Sequence, residues 1–144
     1  MTDPLRLATL IERIDTELAL LRDVGRAAPD LATDELRIRA VKYSLVVAIE
    51  ACIDIARHVI ARRRLRRPVD YADSFTSLAE AGLIDDDLAA RLRDMARFRN
   101  LLVHGYATVD DDRVAAIVTG DVDDVERFAP RMAGIGGAAD DELL

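Results

Sequence analysis

The chain has 144 residues, 51% of them hydrophobic, which suits one domain with a moderate core and leaves little room for a second independent fold. Its formal net charge of −7 excludes a broadly basic nucleic-acid coat. One cysteine, Cys52, excludes an intrachain disulfide framework and a thiolate metal cluster.

Four prolines, no tryptophan and long stretches of Leu, Ala and Arg with recurring apolar positions predict an all-α chain rather than a β-sandwich. Asp3-Pro4 opens a first helix carrying Leu5, Leu7, Leu10, Ile11, Ile14, Leu18 and Leu21 as an apolar stripe, and Gly25 and Pro29 mark its end. Thr33 or Asp34 then caps a long second helix whose inward positions are Val41, Leu45, Ala48, Cys52, Ile55 and Val59. The apolar run from Val41 to Ile60 contains Lys42, Glu50, Asp54, Arg57 and His58, too many polar groups for a membrane span. The start shows no basic segment followed by an apolar stretch and a cleavage signal, so a cytoplasmic location is expected.

Pro68 stops the second helix. A short helix over Ser74 to Ala81 precedes Gly82, and Asp85-Asp86-Asp87 supplies acceptors and negative charge for the N-terminus of the next helix. That helix turns Leu88, Met95, Phe98 and Leu102 inward and Arg91, Arg93 and Arg97 outward, and Gly105 ends it. Asp121 or Asp123 opens another short turn. Pro130 and the Gly134 to Ala139 stretch then predict one helical domain over 1–130 and a flexible Gly/Ala-rich, acidic tail over 131–144.

Charge is divided along the chain. Residues 57 to 99 hold ten Arg and seven acids, net +3, whereas residues 100 to 144 hold three Arg and ten acids, net −7. Arg57, Arg62, Arg63, Arg64, Arg66 and Arg67 can supply contacts to RNA phosphates, as can Arg97, although a solvated helix end is the plainer reading of such a run.

The densest chemistry lies in Arg99-Asn100-Leu-Leu-Val-His104-Gly105-Tyr106, which gathers a cation, an amide, an imidazole and a phenol at a helix end. Asn100 and His104 are one turn apart on nearly one face, whereas Arg99 and His104 point about 140° apart. A bend near Gly105 or a symmetry-related subunit would bring complementary copies of these groups around one phosphate. His104 suits proton transfer near neutral pH, Arg99 suits charge stabilisation on two nonbridging oxygens, and Asn100 suits positioning through hydrogen bonds. Glu50 and Asp54, four residues apart on one helix side, do not by themselves make a metal centre; either can orient Arg99 through a charge-assisted contact. Tyr43 and Tyr71 read as packing or surface residues.

The segment Arg99-Asn100-x-x-x-His104-x-Tyr106 resembles the signature of the HepT toxin group within the HEPN superfamily. Ala48 to His58 resembles the group's central helix, and Phe75-x-x-Leu78-x-x-Ala81-Gly82-Leu83-Ile84 resembles the approach to its catalytic helix. The resemblance implies a compact antiparallel bundle, a symmetric homodimer, and metal-independent ribonuclease activity through Arg99 and His104 without a catalytic cofactor. It also implies a toxin–antitoxin pair, in which an MntA-like minimal nucleotidyltransferase uses ATP to place AMP on Tyr106. Added bulk and negative charge beside a phosphate site would block RNA. Two other readings stay open: a noncatalytic RNA-binding or regulatory dimer, and a helical interaction partner of a minimal nucleotidyltransferase.

Overall fold

The computed structural model describes residues 4–27, 30–105 and 108–142, and every regular element among them is helical. Helix α1 (Pro4–Ala27) buries Leu10, Ile14, Leu18 and Leu21 and packs along α2 (Glu35–Arg63). A single 3-10 turn (Leu31–Thr33) joins them and buries Leu31. Asp34 is the cap of α2: its carboxylate accepts the Arg37 backbone N–H at 3.1 Å. The far end closes with the Leu65 N–H on the Ile60 carbonyl (2.9 Å) and Arg64 in the left-handed region at φ 53°, a conformation usually given to glycine.

Helix α3 (Asp73–Glu80) follows a loop tied down by its own polar groups. Arg66 spans Asp73 at 2.7 Å and Glu80 at 2.8 Å, Asp73 also accepts the Val69 N–H, and the Ser77 hydroxyl donates to the Arg66 carbonyl. Gly82 then turns the chain at φ 75°, and Asp85 caps α4 (Asp86–His104) by accepting the Leu88 N–H at 2.7 Å. Helix α4 packs on α3 and on α2 and buries Leu88, Leu92, Met95, Ala96 and Leu102.

The C-terminal third differs from the expectation in two respects. A six-residue helix, α5 (Asp111–Ala116), begins at a cap on Asp110, buries Val114 completely, and is fixed to α2 by the Lys42–Asp111 ion pair at 2.7 Å. After a π-helical segment (Ile117–Asp121), α6 runs Val122–Glu142 straight through Pro130, where a flexible tail from residue 131 was expected. The reason is burial: Val122, Val125, Phe128, Ala129 and Met132 keep a helical period across the proline, and Phe128 meets Phe75 edge to face at 5.6 Å. Two tertiary bonds hold the stretch beyond Pro130, from Arg131 Nε to the Leu83 carbonyl (2.7 Å) and from Arg63 Nη2 to the Ile135 carbonyl (3.3 Å).

Candidate active site

The second half of α4 presents the motif beside the middle of α2. Arg99 is the inward-turned member, with its side chain only 14% exposed. Its Nε and Nη2 both donate to Oε1 of Glu50, at 3.1 and 2.5 Å, and its Nη1 donates to Oδ1 of Asn100 at 3.1 Å. A guanidinium has five N–H donors, so these contacts leave one hydrogen on each terminal nitrogen beyond them. Those two donors suit two oxygens of one phosphate. Its Cζ lies over the Tyr71 ring, 5.5 Å from the ring centre.

His104 is the last residue of α4 and is exposed, as is Asn100. The turn behind it is tight. Gly105 donates to the Leu101 carbonyl at 2.8 Å, and both the N–H and the hydroxyl of Thr108 return to the Gly105 carbonyl, at 2.9 and 2.8 Å. A side chain at Gly105 would place Cβ 2.8 Å from Leu101 Cδ1 and 3.2 Å from the Leu101 carbonyl oxygen, which accounts for glycine after the histidine. Tyr106, the expected modification site, lies outside the described residues.

Of the two carboxylates expected to orient Arg99, Glu50 makes the contact; Asp54 instead pairs with Arg6 of α1 at 3.9 Å. The basic residues also separate. Arg57, Arg64 and Arg67 line a cleft of about 440 Å³ between the end of α2 and the loop leading to α3. Arg66 is committed to Asp73 and Glu80, and Arg97 pairs with Asp94 at 3.3 Å on the outside of α4. Arg62 and Arg63 are part-buried, with Arg63 bonded to α6. Tyr71, left as a packing or surface residue from the sequence alone, stands between the cleft and Arg99 and carries the Arg57 guanidinium 5.8 Å from its ring centre. Only its place in the fold marks it out.

Among the described residues, no group of three or more His, Cys, Asp or Glu side chains is arranged to hold a metal ion. No described helix is long and apolar enough to cross a membrane. Cys52 is fully buried, which pushes its thiol up to about 12 and leaves it a packing residue.

This helical arrangement and this motif have counterparts. The family model described as "Ribonuclease HepT-like" matches residues 14–132. The chain belongs to the HepT-like family. It is 40% identical over 79 residues to the mRNA nuclease HepT of Shewanella oneidensis, a match covering 55% of this chain and 59% of that relative. The chain therefore matches less than two thirds of that nuclease's length. The structural likeness is fuller. The tri-AMPylated HEPN toxin of Shewanella oneidensis, solved in complex with an MNT antitoxin, superposes with a TM-score of 0.84 at 30% identity, covering 93% of this chain and 99% of that one. A toxin–antitoxin structure with AMP-PNP gives a TM-score of 0.82 at 30% identity, covering 92% and 99%. The fold of this HepT-like chain is thus the all-helical one of HEPN toxins, as the motif implied.

Proposed function

We propose that this HepT-like chain is a metal-independent ribonuclease toxin that cleaves RNA through Arg99 and His104. The observation that carries the reading is the state of Arg99: part-buried, held by Glu50 and Asn100, with two N–H donors beyond those contacts, on the same helix that ends in an exposed His104. Held this way, Arg99 meets developing charge on the nonbridging oxygens without first reorganising. As the ribose 2′-oxygen attacks phosphorus, a His104 imidazole accepts its proton; the bond to the 5′-oxygen breaks, and that oxygen leaves with a proton returned by the imidazolium. The products are a 2′,3′-cyclic phosphate and a 5′-hydroxyl, and neither step calls for a catalytic cofactor.

The working unit is a homodimer. Arg99 faces α2 whereas His104 is exposed at the helix end, so a second copy supplies the complementary group across the dimer interface. Exposed Leu36 and Tyr43, on the side of α2 that continues to Glu50, with Leu101 and Val103 on α4, provide apolar surface for that contact. Mixing inactive R99A with inactive H104A tests it: a shared site regains cleavage in the mixed dimer, because one of its two sites then has both wild-type groups. Sites confined to single chains stay dead. The assay is new 3′ ends from cellular RNA in EDTA, after both variants are shown to be folded.

The same reading makes the protein a cytoplasmic toxin whose partner is an MntA-like nucleotidyltransferase antitoxin. AMP-PNP and AMP groups occur in the related toxin–antitoxin structures, which supports nucleotide use by the partner. The motif assigns Tyr106 as the acceptor: its phenol oxygen attacks the α-phosphorus of ATP, pyrophosphate leaves, and the AMP then stands two residues from His104 in sequence. Incubation with the cognate transferase and ATP should add AMP to wild type and none to Y106F, and should silence wild-type cleavage. Intact mass and peptide mapping decide it.

A further inference from the structure

The cleft beside Tyr71 has a composition that Arg99 and His104 do not explain. Arg57, Arg64 and Arg67 line it together with Ile60, Leu65 and Val69, and its volume of about 440 Å³ lies within the usual range of small-ligand sites. Tyr71, on the wall toward Arg99, is 41% exposed, and Val69 is 86% exposed. Ser74 completes the lining: it is fully buried, and its hydroxyl has no hydrogen-bond partner among the described residues. Arg64 keeps a long cationic side chain at a left-handed position where glycine would be easier, a strain of the kind found at ligand sites.

The cleft walls are also held before any ligand arrives. Arg66, Asp73, Glu80 and Ser77 pin the loop from below, and the acidic lining residue Asp70 already accepts the Asp73 N–H at 2.7 Å. Three cations therefore face the cleft against one occupied carboxylate. A part-exposed aromatic ring with arginines beside it is the kind of surface on which an unpaired base lies, while arginines take the phosphates on either side.

We propose that this cleft is a subsite for one unpaired nucleotide of single-stranded RNA, with its base stacked on Tyr71, its flanking phosphates on Arg57, Arg64 and Arg67, and the adjoining phosphate at Arg99. The inference rests on the ribonuclease reading and deepens it. It makes Tyr71 a substrate-binding residue and restricts the substrate to strands whose bases can splay apart beside the cut. A paired helix would hold its bases out of reach of the ring.

The test uses the full chain and a 2′-O-methyl oligoribonucleotide of about ten nucleotides, which binds but cannot attack its own phosphate, carrying 5-iodouridine for photocrosslinking. The crosslinked peptide should contain Tyr71. Affinity should be retained in Y71F, fall about tenfold in Y71L as expected for one lost stacking contact, and fall in the Arg64→Gln, Arg67→Gln double variant. Single-turnover cleavage of the unmodified RNA is measured alongside. If Y71L keeps full affinity and loses only turnover, Tyr71 merely supports Arg99 and the subsite is overturned. If Y71L keeps RNA affinity but no longer binds the antitoxin, the cleft is a protein-docking surface and the proposal is equally overturned. Wild type that neither binds nor cuts any RNA would remove the ribonuclease reading itself, an outcome distinct from either.

Discussion

Arg99 shows how one ion pair can set a residue's task. Glu50 fixes two of its nitrogens, so the guanidinium stays in one orientation and loses little freedom when phosphate arrives. E50Q keeps an acceptor and removes the charge; we expect single-turnover cleavage to slow by about ten- to a hundredfold while RNA affinity is no weaker, since one negative charge leaves the site. Equal losses in rate and affinity would make Glu50 part of the general scaffold. Asp73 offers a second residue-scale test, through pH. The Arg66 guanidinium, and then the Val69 N–H, hold its carboxyl down to about 2, below the usual carboxylate value near 4. Its contribution to stability is therefore complete above about pH 4 and disappears as pH falls toward about 2. Denaturation midpoints of wild type and D73N should differ by a constant amount above pH 4 and converge below it.

Among the elements, those that announced themselves did so through caps. Asp34 and Asp85 both accept the N–H three residues on, as their positions before apolar periods suggested, and Gly82 and Gly105 both end or turn the chain. Helix α5 has no signature in the sequence because six residues are too few to establish a period. Helix α6 was obscured by Pro130, yet the spacing of Val125, Phe128, Met132 and Ile135 runs through it. Pro130 is exposed, so water can serve the carbonyl that loses its N–H partner. If the stretch beyond Pro130 belongs to the domain, M132A should cost about 2–5 kcal/mol in urea denaturation. A cost under about 0.5 kcal/mol, in the range of ordinary surface changes, would place the boundary at residue 130. The motif on α4 was legible because Arg99, Asn100 and His104 are near neighbours in sequence. Tyr71 was not, because its meaning depends on an α2–α3 loop that brings it beside a residue 28 positions later.

For the whole molecule, the fold sorts a set of arginines that look alike in the sequence. Arg66 answers Asp73 and Glu80, Arg97 answers Asp94 and Arg22 answers Asp123 and Glu126, whereas Arg57, Arg64 and Arg67 gather on the cleft. A net charge of −7 is thus compatible with a local anion site, because most of the acidic residues lie elsewhere in the chain or are engaged in ion pairs. The sorting has a consequence for thermodynamics. An arginine already facing a carboxylate releases no counterion from RNA when the strand binds, while an arginine facing solvent does, at about 0.7 of an ion per phosphate on single strands. A plot of log affinity against log salt should therefore have a slope near −2, the value for three cleft arginines, with Arg99, already facing Glu50, adding little. The seven basic residues nominated from sequence would give about −5. The dependence of binding on potassium chloride thus counts which arginines the fold has left to the substrate.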